Sequence, residues 1–124
     1  MLPVTDTQRP TAVSNEVDDL LRSNTSLAVV TPQSLFDETA AALDTLGAAY
    51  ADGQKTLALG EHITLLLPTN TKGLEFDAVI VIEPGRIASE NDHGERLLYV
   101  TLTRAVHHLT VIHADPLPAT LADP

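Results

Sequence analysis

Two apolar runs, Ile63 to Leu67 and Ala78 to Ile82, bracket the polar segment Thr69-Asn70-Thr71-Lys72-Gly73-Leu74-Glu75-Phe76-Asp77. Runs this short and this rich in aliphatic side chains predict two buried strands joined through a compact connection. The second run, Ala78-Val79-Ile80-Val81-Ile82, is apolar at every position. Both of its faces must therefore be covered, which is the condition of an interior strand in a parallel sheet. The ends of such strands are where α/β proteins place their ligands, so the polar segment is a functional address.

The rest of the chain is arranged around that pair. Leu27-Ala28-Val29-Val30 reads as another buried strand, stopped by Thr31-Pro32. Before it, Val13, Val17, Leu20 and Leu21 space out a short amphipathic helix with Ser14 as its N-cap. After it, Leu35, Phe36, Thr39, Leu43, Leu46 and Tyr50 recur at three- and four-residue steps. They predict a long helix from Pro32 to about Ala51, with Thr31 as cap and Pro32 in the first turn. Leu57 to Gly60 is expected as a short edge strand, Arg86 to Asn91 as a brief helix or loop, Glu95 to Ala105 as a helix and His107 to His113 as the last strand. Strands alternating with helices give a layered α/β sheet, mainly parallel, with helices on both faces. The expected division is an arm at residues 1–12 in which Arg9 is solvated, a domain at 13–115 and a Pro-rich tail at 116–124.

Composition bears on partners. The 124 residues include no Cys, which excludes disulfide scaffolds and Cys-based zinc sites. His107 and His113 share a strand face but have no carboxylate or Cys at ligand spacing, so no metal site is expected of the chain. Neither a leader-like start nor an apolar run long enough to span a bilayer is present, and the chain reads as soluble and cytoplasmic with no membrane partner. Seven Lys and Arg against 17 Asp and Glu give a formal charge of −10. The acidic groups read as scattered and solvated, and such a chain by itself should grip a phosphate backbone poorly.

The residues of the polar segment support two chemistries. Gly73 permits a tight turn and Glu75 offers a carboxylate to a ribose hydroxyl. Equally, Lys72 and Glu75 could be a surface pair on one helical turn, with Asp77 a cap. Arg104 falls in the last turn of its expected helix, where a cation is favoured by the helix dipole and its stem can cover apolar surface. Asp52-Gly53-Gln54-Lys55-Thr56 imitates a phosphate-binding loop, but Gln54 separates the glycine from the lysine and the segment follows a helix. It reads as a turn.

Thr71 to Asp77 and Leu98-Tyr99-Val100-Thr101-Leu102-Thr103-Arg104-Ala105 resemble, in order and spacing, motifs V and VI of the UvrD/Rep-like superfamily 1 helicases. The resemblance covers residues 62 to 113 well and the first 60 only in layout. It implies part of a second RecA-like domain, belonging to an ATP-dependent DNA helicase or translocase. Glu75, Gly73 and Lys72 would then serve nucleotide binding, and Thr69, Asn70 and Thr71 would face single-stranded DNA. Arg104 would be an arginine finger, catalytic at the γ-phosphate, supported by Tyr99 and Thr103. ATP and Mg²⁺ would be held mainly by a P-loop domain of the same protein, so this chain alone is expected to be inactive. Thr69 stands where many members have His, and Thr101 where a small residue is usual. Val81-Ile82-Glu83-Pro84 and His113 to Pro118 are similar to the HelD-type ATPases, which implies RNA polymerase as a partner. The other expectation is a non-catalytic acidic interaction module with a RecA-like fold.

Overall fold

The computed structural model describes residues 2–47, 50–52, 62–118 and 121. The described strands form a six-stranded sheet in the order β1-β6-β5-β2-β4-β3, every neighbouring pair parallel. The strands are β1 (Leu2–Pro3), β2 (Leu27–Val30), β3 (Ala51–Asp52), β4 (Ile63–Leu66), β5 (Phe76–Ile82) and β6 (Ala105–His113). The helices are α1 (Arg9–Leu20), α2 (Phe36–Leu46), α3 (Pro84–Glu90) and α4 (Gly94–Leu102). Among the described residues no helix is long and apolar enough to cross a membrane.

Alternate residues of the central strands feed two cores. Leu27, Val29, Ile63, Leu65, Ala78, Ile80 and Ile82 pack with Val13, Val17 and Leu20 of α1 and Leu43 of α2. Ala28, Val30, Leu66, Val79, Val81 and Val111 pack on the other face with Ile87 of α3 and Leu98 of α4. Strands buried on both faces have no polar alternation, which is why β2, β4 and β5 were legible as apolar runs. The expected helices on both faces are present. Only Leu2 and Pro3 lie alongside β6 on its outer side, opposite Ile112 and His113. Among the described residues the remainder of that edge is open.

Several local expectations are corrected. α1 begins at Arg9, with Pro10 in its first turn, so Ser14 is not a cap; its hydroxyl donates to Ala42 O at 3.0 Å. The long helix from Pro32 is a 3-10 turn at Gln33–Leu35 followed by α2, which Gly47 ends in the left-handed conformation at φ 78°. Thr31 caps neither; its hydroxyl donates to Pro32 O and accepts from Thr39. The expected strand at Leu57 to Gly60, and Gly53 to Thr56 of the loop imitation, lie outside the described residues.

The N-terminal stretch is tied to the domain rather than free. Arg9 is 3% exposed. Its guanidinium donates to Glu83 at 2.5 Å, Asp6 at 2.8 Å and Glu38 at 2.8 Å. The solvated arm arginine is thus a buried ion, and the acidic groups are not all scattered. Glu83 is fully buried and also accepts from the backbone N–H of Ala114 at 2.8 Å and Asp115 at 3.1 Å. Burial acts against the Arg9 charge, but its hydrogen bonds to Glu38, Asp6 and Glu83 outweigh it and raise the pKa.

Gly94 makes α3 and α4 possible as neighbours. A Cβ built there would lie 1.9 Å from Ala88 O, a backbone atom that cannot step aside. Gly94→Ala is therefore expected to push the two helices apart and cost about 3 kcal/mol, visible as a lower urea midpoint with an unchanged slope.

Candidate functional site

The segment after β4 does not turn straight back. Leu66 and Val81 both lie level with Val30, whereas Phe76 pairs with Ala105 at the start of β6. Residues 67–75 must therefore run from the C-terminal end of β4 to the N-terminal end of β5 before the chain re-enters the sheet. They start as a 3-10 turn at Pro68–Asn70, which packs against α4. The Asn70 side chain accepts from Leu67 N at 3.3 Å and Thr71 donates its hydroxyl to Pro68 O at 2.8 Å, which holds this turn closed. A β-turn follows, with Leu74 N donating to Thr71 O at 3.1 Å and Gly73 at φ 80°. That position requires positive φ, which glycine adopts without a Cβ penalty.

The lower end of the segment meets Arg104. This arginine lies just beyond α4, in the link to β6, rather than in the last helical turn. Phe76 N donates to Arg104 O at 3.0 Å, bringing the two chain segments side by side. The half-buried guanidinium donates through Nε to Val100 O at 3.1 Å, through Nη1 to Leu74 O at 3.3 Å and through Nη2 to Thr103 Oγ1 at 3.4 Å. Each terminal nitrogen retains a further N–H, so the fork is held by neutral acceptors while keeping donors for an anion. Glu75 is exposed beside Leu74, and its carboxylate is free to accept from a hydroxyl.

Asp77 fixes this end of the sheet. Its carboxylate accepts from the Thr25 hydroxyl, from Thr25 N at 3.0 Å and from Ser26 N at 3.3 Å, while Ser26 Oγ accepts from Asp77 N at 2.9 Å. These bonds, led by the Thr25 hydroxyl and helped by nearby His107, hold the Asp77 carboxyl below the usual carboxylate range. It ties β5 to the start of β2 rather than capping a helix.

The expected site residues thus divide. Gly73, Glu75, Arg104 and Thr103 come together at the N-terminal ends of β5 and β6. Thr71 is fully buried with its hydroxyl engaged, so its side chain presents nothing to a strand of DNA. Asn70 is half-buried and engaged with the backbone, and Thr69 is exposed. Tyr99 is 68% exposed and does not orient Arg104; Thr103 does. Lys72 instead lines a shallow groove between residues 69–72 and α4, together with Thr69, Asp92, His93, Arg96, Leu97 and Val100. Sequence reasoning passed over Arg96, although its spacing of four from Val100 placed both on one helical face.

Comparison with known proteins bears on the family and the fold. Residues 69–112 match the family model of the UvrD-like helicase C-terminal domain. Among solved structures, one similar fold is the C-terminal domain of a possible DNA helicase from Lactobacillus plantarum WCFS1, with 24% identity and a TM-score of 0.68. The match covers 98% of this chain and 75% of that one. Another is the Sulfolobus solfataricus SWI2/SNF2 ATPase core in complex with dsDNA, at 13% identity and a TM-score of 0.63, covering 93% of this chain and 27% of that one. At such identities the likeness is one of fold. No curated protein matches the chain.

Proposed function

We propose, from the match of residues 69–112 to the family model of the UvrD-like helicase C-terminal domain, that the chain is the second motor half of an ATP-dependent DNA helicase or translocase. The observation that carries this is the Arg104 fork held against Leu74 O, next to Glu75, at one end of the sheet. A nucleotide wedged between this end and a P-loop domain would find an acceptor for its sugar hydroxyl in Glu75 and a bidentate donor for its terminal phosphate in Arg104. The guanidinium is pre-aimed by Val100, Leu74 and Thr103, so little reorganisation is needed when charge develops on the transferring phosphoryl group.

Mg²⁺ belongs with the P-loop half on this reading. Among the described residues, the carboxylates close enough to share a cation are Asp6, Glu83 and Asp115. They sit at the opposite end of the parallel sheet from Arg104, and β5's seven residues separate the two ends by about 20 Å. Glu83 and Asp6 are moreover already engaged by Arg9. This set does not fit the nucleotide's metal. A bound Mg²⁺ would neutralise phosphate charge, while the residues of this chain orient the sugar and the terminal phosphate.

The experiment is direct. The chain alone should show no ATP turnover above background, and joining it to its P-loop domain should restore turnover that single-stranded DNA stimulates. Turnover by the chain alone would remove the two-half reading. If the joined protein is silent with DNA but active with RNA polymerase, the formal charge of −10 would instead favour the docking role.

A further inference from the structure

The first residues of β5 stand where its ladders give out. Pairing with β2 begins only at Leu27 opposite Ala78. On the other side Phe76 lies opposite Ala105 and Ala78 opposite His108, so two steps along β5 meet three along β6 and the register slips between them. Yet this is the stretch that must hold Leu74 O against the Arg104 guanidinium, with Glu75 beside it. Side chains take over where backbone pairing stops. One Asp77 carboxylate oxygen accepts from the Thr25 hydroxyl, from Thr25 N and from Ser26 N, and Ser26 Oγ accepts from Asp77 N. This clasp fastens β5 sideways one residue after Phe76, whose N–H donates to Arg104 O. The carboxyl is held below its usual range chiefly by the Thr25 hydroxyl, so it is ionised at neutral pH and its hydrogen bonds are charge-assisted.

We propose that this clasp sets the aim of the Arg104 fork, with Asp77 as the positioning residue and Thr25 as its main partner. Two of the acceptors that hold the guanidinium, Val100 O and Thr103 Oγ1, lie within four residues of it in the chain and move with it. Leu74 O comes from a different part of the fold. The direction of the fork relative to the sheet is therefore fixed only as well as Leu74 is fixed, and Leu74 is three residues from the clasp. Released from Thr25 and Ser26, the start of β5 would be held sideways mainly through Phe76 N and Ala78 N. A shift of about 1 Å at Leu74 O would swing the outward N–H groups off a phosphate oxygen, and such misplacement is costly far beyond its size. Asp77 thus acts on the reaction through the chain, without itself meeting the nucleotide.

The inference rests on the motor reading, and its test separates the two. Phosphate release from labelled ATP is followed in the motor with both halves, at saturating nucleotide and DNA and below the melting temperature of every variant. Asp77→Ala should lower kcat by roughly 10- to 100-fold. Asp77→Asn, whose amide oxygen can accept in the same place, should recover most of that loss. Thr25→Val keeps the shape but not the hydroxyl; it should lower kcat by about fivefold, the worth of one hydrogen bond, and it replaces Asp77→Ala if that variant does not fold. The decisive background is Arg104→Ala. There Asp77→Ala or Thr25→Val should cost nothing further, because a residue that only aims the guanidinium has nothing left to aim. A merely structural role would lower both backgrounds alike. The inference falls if the clasp variant keeps kcat within about twofold of wild type, or if its loss is undiminished in Arg104→Ala. In either case a large loss in Arg104→Ala leaves the motor reading standing. If Arg104→Ala itself retains turnover, the motor reading falls and this inference with it.

Discussion

Arg104→Ala in the motor with both halves is expected to lower ATP turnover by about 10³-fold or more, with DNA affinity largely retained. The size follows from what is lost: a preorganised, charged donor aimed at a group whose charge develops in the transition state. Arg104→Lys should recover little, because a single ammonium cannot hold Leu74 O, Val100 O and Thr103 Oγ1 and still offer two donors outward. Steady-state hydrolysis beside a thermal melt is the measurement. The melt should move little, since Arg104 is only half-buried and the acceptors it leaves are neutral. A loss of turnover below tenfold would make Arg104 a structural pin that fastens the end of α4 to the turn at residues 71–74.

Arg9→Ala should be the most destabilising single change on the opposite end of the sheet, by about 3–5 kcal/mol. The cost arises less from the lost attraction than from leaving Glu83 fully buried without its cation. Glu83 cannot turn away to water, for its two oxygens also hold the N–H groups of Ala114 and Asp115, and it sits at φ 47°, a conformation costly for a residue with a side chain. Adding Glu83→Gln to the Arg9 variant should return part of the loss by removing the orphaned charge. Urea unfolding of the four members of this cycle measures it. Strict additivity would mean the two residues stabilise the domain independently.

These two arginines also show what a sequence can and cannot disclose. Arg104 was singled out through the resemblance of residues 98–105 to motif VI, a signal contained within one segment. The bonds that aim it were legible only in part, since Leu74 lies thirty residues away. Arg9 was misread because two of its three partners are distant, with Glu38 at 29 and Glu83 at 74 residues' separation. Pro10 compounded the error. It lies within the stretch expected as an arm, yet proline is well placed in the first turn of a helix. β1 left no signal at all, for two residues ending in proline have no periodicity. The interior strands were plain by contrast, because double-sided burial writes an uninterrupted apolar run. Thr71 and Tyr99 were assigned from motif position alone, and burial decides whether a motif residue faces outward.

The uncovered side of β6 has a practical consequence. From Ala105 to Thr110 its outer N–H and C=O groups have no strand beside them among the described residues, and Val106 and Leu109 are exposed along it. Such a rim is a template for backbone pairing by any extended segment that drifts past, with no need for sequence complementarity. At the concentrations used for structural work, a preparation of this domain would meet mostly copies of itself. Its colloidal behaviour, and the yield of every assay above, will therefore depend on how that rim is shielded, and a charged substitution at Val106 is the simplest shield to try.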